Sequence, residues 1–150
     1  MLRYLFALLT VLGLAVAAHA HQFSVGNLVI THPWSRPTAT GMPTGVAYLS
    51  IHNEGSRDDT LLSARTPVAA RVEFHRTVIE QGMARMRPAD DLRIARGSTL
   101  TAEPGGLHLM LVDLKKPLIA GTTVPLVLRF KSAGEVTVMV LVELNGPSHE

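Results

Sequence analysis

Leu107-His108-Leu109-Met110-Leu111-Val112-Asp113-Leu114 opens by alternating leucine with residues of other chemistry. In an extended chain successive side chains point to opposite faces. Leu107, Leu109 and Leu111 then point into a core, while His108 and Met110 share the other face, about 6–7 Å apart along the backbone. An imidazole and a thioether at that spacing can turn toward one ion, with the leucines anchoring the strand behind them. This stretch sets the reading of the chain as β-structure that carries donor side chains on one surface.

Upstream the period stays near two. Val68, Ala70, Val72 and Phe74 fall on one face, and Arg71, Glu73 and His75 on the other. Glu80-Gln81-Gly82 is a turn signal, predicting a hairpin between His75–Ile79 and Met83–Arg87. Met86 lies on its return arm. Further strands are expected at Phe23–Ile30, Val46–His52, Thr60–Arg65, Leu92–Ile94, Thr99–Ala102, Val124–Lys131 and Val136–Leu144. Thr31–Gly45, with Pro33, Pro37 and Pro43, reads as a loop or edge segment. Val136, Val138, Val140 and Val142 form one apolar face of the last strand. Met139 and Leu141 form the other, which predicts a central strand with Met139 in the core. Short strands with turn signals roughly every ten residues and no helical period make an all-β sandwich or barrel.

The 150 residues suffice for one domain, and 17% charged against 47% hydrophobic residues excludes a disordered chain. Residues 1–20 read as a cleaved secretory signal peptide, with Arg3, an apolar run from Tyr4 to Ala18 and the ending Ala18-His19-Ala20. Residues 21–145 are then the β domain and 146–150 a flexible tail, with no stable membrane anchor after cleavage. Removing Arg3 takes the net charge from +2 to +1, and no basic run suggests nucleic acid. There is no cysteine. That excludes disulfides, thiolate zinc sites and a blue-copper centre.

The softest donors left are methionines. His75, Met86, His108 and Met110 form a two-imidazole, two-thioether set that suits Cu(I) and is foreign to Mg²⁺ and Ca²⁺. Convergence requires the hairpin to pack against the His108–Met110 strand. Met83 is expected on the opposite face from Met86, as a spare ligand at most. His32, His52 and His149 read as surface residues, and Met42 as loop packing. Glu73, Glu80 and Asp90 read as a solvated face. Cleavage after Ala20 would expose an α-amine on His21 that, with its imidazole, can chelate Cu(II) transiently.

The pattern His75-x10-Met86-x21-His108-x-Met110 resembles the H-x10-M-x21-H-x-M signature of periplasmic copper chaperones of the PCuAC family. With 7 His and 6 Met in the chain, chance produces such a match on the order of a few times in ten thousand, so coincidence is set aside. Val72-Glu73-Phe74-His75, Met86-Arg87-Pro88 and Pro104-Gly105-Gly106-Leu107 around the motif are similar to the family as well. So are Trp34-Ser35-Arg36, Ala47-Tyr48-Leu49, Asn53 and Asp59 upstream. The resemblance implies a cupredoxin-like Greek-key β-barrel or sandwich and Cu(I) held by His75, Met86, His108 and Met110. It also implies a non-enzymatic, monomeric periplasmic carrier delivering copper to a respiratory oxidase subunit or its assembly factors. Storage or tolerance is the alternative output, and a redox copper protein a more distant one. Some relatives carry a His/Met-rich C-terminal extension with a Cu(II) site. Here Asn145–Glu150 holds only His149, so no such tail site is expected.

Overall fold

A computed structural model describes residues 22–146. The signal segment, His21 and His149 lie outside the described residues. Eleven strands occur among those described, and no helix: β1 (Gln22–Val25), β2 (Leu28–Ser35), β3 (Thr44–Asn53), β4 (Asp59–Arg65), β5 (Ala69–Glu80), β6 (Met83–Pro88), β7 (Arg93–Ile94), β8 (Thr99–Ala102), β9 (Leu107–Leu114), β10 (Thr123–Phe130) and β11 (Gly134–Val142). The all-β expectation holds.

Hydrogen bonding runs in the order β6-β5-β9-β8-β3-β2-β11-β10-β4-β7, with β1 added to β2 and β9 also pairing directly with β3. The path is open, since its end strands β6 and β7 do not pair. Most pairs are antiparallel, but β11 meets β2 in parallel at Leu141–Trp34, and β8 meets β9 in parallel at Ala102–Leu107. The sheet curls around one apolar interior that includes Leu28, Ile30, Ile51, Leu109, Leu126, Leu128, Val138 and Val140. Strands with one apolar face must bury it, and a single curled sheet does so against itself.

Several sequence expectations are corrected. Phe23–Ile30 is not one strand, because Gly26 takes a positive φ of 55° and folds it into the β1–β2 hairpin. β2 then continues through Pro33 to Ser35, where a strand was not expected. Its pairing with β3 is interrupted between Thr31 and Trp34, and the unpaired stretch accommodates the proline, which has no N–H to donate. His32 sits in that irregularity with φ 52°. Ala69 rather than Ala70 is buried at the start of β5. Met139 is exposed, not core, because β11 is covered on its valine face only. An exposed apolar side chain is ordinary on a folded surface, so apolar residues on both faces of a strand do not prove two covered faces.

The surface is tied by arginine–carboxylate pairs: Arg65 with Glu135, Arg71 with Glu73 and Asp113, Arg87 with Glu80, and Arg93 with Asp58. Hydrogen bonds from Arg87 and Arg65 hold the Glu80 and Glu135 carboxyls below their ordinary 4.5. The Arg96 backbone N–H, then the Arg93 side chain, hold Asp58 below 3.8. A carboxyl depressed on folding adds stability that is present above its unfolded value and lost as pH falls through the folded one. The melting temperature should therefore hold from pH 7 to about 5 and decline as pH drops below 4.5 and then 3.8. Being exposed, these pairs should give a shallow decline, measured by thermal unfolding across that range.

Candidate metal centre

The register of β5 with both its neighbours builds the site. β5 is twelve residues long. It pairs with β9 over Ala69–Arg76 and with β6 over His75–Glu80, so the hairpin projects past the end of β9. Gln81 and Gly82 both have positive φ, which lets a two-residue turn close the hairpin. The turn lies where the sequence placed it.

His75 is the direct cross-strand partner of His108. Thr77 opposes Met86, and Glu73 opposes Met110. Residues opposite one another, and residues two apart along a strand, share a face. Glu73, His75, Thr77, Met86, His108 and Met110 therefore occupy one face of the β6–β5–β9 segment. The opposite face carries Val72, Phe74, Leu109 and Leu111, which pack into or against the core. The long-range packing that the sequence required between hairpin and strand is present.

The structure brings the two histidines into contact. Their ring centroids lie 6.0 Å apart, with planes at 74°. His108 is only 4% exposed and the His75 side chain 18%. The His108 Nδ1–H donates to the Gly106 carbonyl at 3.1 Å, and the His75 Nε2–H donates to Glu73 Oε2 at 3.0 Å. That leaves His75 Nδ1 and His108 Nε2, both buried and both without a hydrogen-bond partner. Buried polar atoms are almost always paired, so two orphaned nitrogens on contacting rings need an explanation.

The methionines flank this pair. Met110 is half-buried beside Glu73, and Met86 is 58% exposed beside Thr77, displaced along the strands in the other direction. Their side chains are unbranched, with three rotatable bonds each. Met83 is 52% exposed on the opposite face of the hairpin from Met86. His52 is a surface residue whose Nδ1 bonds the Thr99 hydroxyl, and His32 and Met42 are exposed. Among the described residues, no three His, Cys, Asp or Glu side chains group as metal ligands. A metal held at the histidine pair by more than two side chains would thus draw on thioether.

Glu73 lies on a solvated face as the sequence predicts, its side chain 38% exposed, but it also makes two contacts that the sequence reading does not include. Its carboxylate holds His75 and accepts from Arg71 Nε at 2.7 Å. Arg71, and secondarily the His75 N–H, keep the Glu73 carboxyl below its ordinary value. The available signal was the Glu73-x-His75 spacing, which puts carboxylate and imidazole on one strand face.

Solved structures share this architecture. The copper-bound PCuAC domain from PmoF2 aligns with a TM-score of 0.72 and 30% identity, over 83% of this chain and 99% of that one. The solution structure of CuI-DR1885 from Deinococcus radiodurans aligns with a TM-score of 0.62 and 30% identity, over 87% and 86%. Among curated sequences, "Putative lipoprotein Lxx21020" of Leifsonia xyli subsp. xyli is 34% identical over 115 residues, covering 76% of this chain and 68% of the relative. Residues 28–142 match the sequence pattern of the family described as "Putative lipoprotein LpqE-like", and the chain belongs to that LpqE-like family.

Proposed function

We propose that this protein is a copper carrier that binds Cu(I) through His75, Met86, His108 and Met110 and passes it on without catalysing a reaction. The observation that carries the reading is the pair of buried, unpartnered nitrogens, His75 Nδ1 and His108 Nε2, with two thioethers on the same sheet face. Two neutral imidazoles and two thioethers form a soft donor set, which favours Cu(I) over hard cations. The solved relatives named as copper-bound PCuAC and CuI-DR1885 support the same metal. Met86 is exposed, so one donor faces outward, where an acceptor could compete for the ion.

The resemblance to PCuAC chaperones extends the proposal to place and partner. The first twenty residues act as an export signal, the mature domain works as a monomer in the periplasm, and a respiratory oxidase copper subunit or its assembly factor receives the copper. The absence of cysteine fits an oxidising compartment, where a thiol-based carrier would form disulfides.

Cu(I) titration of the full mature chain against a chromogenic Cu(I) chelator tests the reading. One equivalent should be retained. At free copper about 100-fold above Kd, binding to the native state alone adds about 2.7 kcal/mol, raising the melting temperature by on the order of 10 °C. No retention and no shift would end the proposal.

A further inference from the structure

We propose that Glu73 is a positioning residue for the copper site, fixing the protonation pattern of His75 so that the two histidines bind through different ring nitrogens, His75 by Nδ1 and His108 by Nε2. This rests on the copper reading above. A carboxylate has no proton to give, so the 3.0 Å contact between Glu73 Oε2 and His75 Nε2 assigns the ring proton to Nε2. The Gly106 carbonyl can likewise only accept, so the 3.1 Å contact assigns the His108 proton to Nδ1. The nitrogens left with lone pairs are then the two that are buried and unpartnered. Opposite tautomers on cross-strand partners turn both lone pairs away from their hydrogen-bonding partners and leave them free for one ion.

Glu73 is itself held. Arg71 bonds it through Nε at 2.7 Å and reaches across to Asp113 Oδ2 on β9 through Nη1, also at 2.7 Å. Asp113 adopts a positive φ of 55°, a conformation aspartate tolerates better than most residues. The chain Asp113–Arg71–Glu73–His75 thus clamps β5 to β9 beside the histidine pair. Its three charged members carry one net negative charge. The four proposed ligands are all neutral, so this anion is placed to offset the single positive charge of Cu(I). A carboxylate on the distal nitrogen of a ligating histidine orients the ring and raises its donor strength, and removing it costs metal affinity by about 10–100-fold.

The test needs a reading that a purely structural role would not move. Long-range ¹H–¹⁵N correlation of the copper-free protein, at a pH where both rings are neutral, reports which nitrogen of each histidine is protonated. Wild type should show His75 protonated at Nε2 and His108 at Nδ1. Glu73→Ala should turn His75 into a mixture of tautomers, leave His108 unchanged, and weaken Cu(I) by about 10–100-fold in chelator competition. Glu73→Gln keeps an acceptor oxygen without the charge. That one oxygen cannot serve both Arg71 and His75, so this variant too should loosen the His75 tautomer and weaken Cu(I), and it serves as the folded control should the alanine variant be unstable. A His75 protonated at Nδ1 in wild type, or full Cu(I) affinity in both variants, overturns the proposal. If wild type itself retains no Cu(I), the copper reading falls and the positioning role toward copper with it. The tautomers would still report whether Glu73 holds His75, so the two failures are separable.

Discussion

The double variant His108→Ala, Met110→Ala should lose Cu(I) affinity by at least about a thousandfold, roughly 4 kcal/mol, while keeping the wild-type fold. His108 supplies one of the two orphaned nitrogens, and Met110 is the thioether two residues along the same strand face. Removing both leaves His75 and Met86, a two-donor remnant on the β5–β6 hairpin with nothing contributed from β9. Leu107, Leu109 and Leu111, which anchor that strand, point the other way and stay untouched. The change at His108 also removes a hydrogen bond to Gly106, so a small loss of stability is expected; the orphaned Nε2 atom goes with it. Circular dichroism and thermal unfolding of the copper-free variant check the fold, and chelator competition checks the affinity. Unchanged affinity would exclude β9 from the site.

A large loss of stability from a single polar residue is expected at Asn53. Its side chain is 1% exposed and uses both ends of its amide. Nδ2 donates to the carbonyls of Arg57 at 2.8 Å and Ile94 at 3.0 Å, and Oδ1 accepts from the Gly55 N–H at 2.9 Å. One side chain thus stitches the β3–β4 turn to β7, a two-residue strand with little pairing of its own. Asn53→Ala strands three backbone groups, at about 1–3 kcal/mol for each that stays buried and unpaired. A total loss of about 3–4 kcal/mol is expected, read as a lower urea midpoint at unchanged slope. Asn53→Asp keeps the shape but opposes a carboxylate to two carbonyl oxygens, and should cost no less than alanine. A variant within 1 kcal/mol of wild type would show that the turn finds other partners.

Local pattern carried much of this structure. The hairpin turn at Gln81-Gly82 and the strands Thr99–Ala102 and Leu107–Leu114 were legible because turn chemistry and period-two alternation act within a few residues. The shared face of His108 and Met110 follows from the same rule. Which strands become neighbours is a matter of long-range packing, and nothing local to His75 or His108 states that they oppose each other. The β1–β2 turn was missed because Gly26-Asn27 sits inside an apolar run that reads as one strand. Met139 was misplaced because alternation reports which residues share a face, not whether that face is covered. The contact of Glu73 with His75 follows from their spacing of two, whereas Asp113 joins Arg71 and Glu73 only once β5 has paired with β9.

β6 is the terminal strand of the sheet, and its outer backbone edge has no partner among the described residues. With Ile79, Met83 and Met86 all more than half exposed on the hairpin, such a rim is a template for strand addition by other chains and for aggregation. Its sequence counters that hazard. Arg85 and Arg87, both beside Glu80, put charged side chains on the edge strand, and Pro88 ends it with no N–H to offer. The strand can therefore leave the Met86 thioether open to solvent and still resist edge-to-edge association.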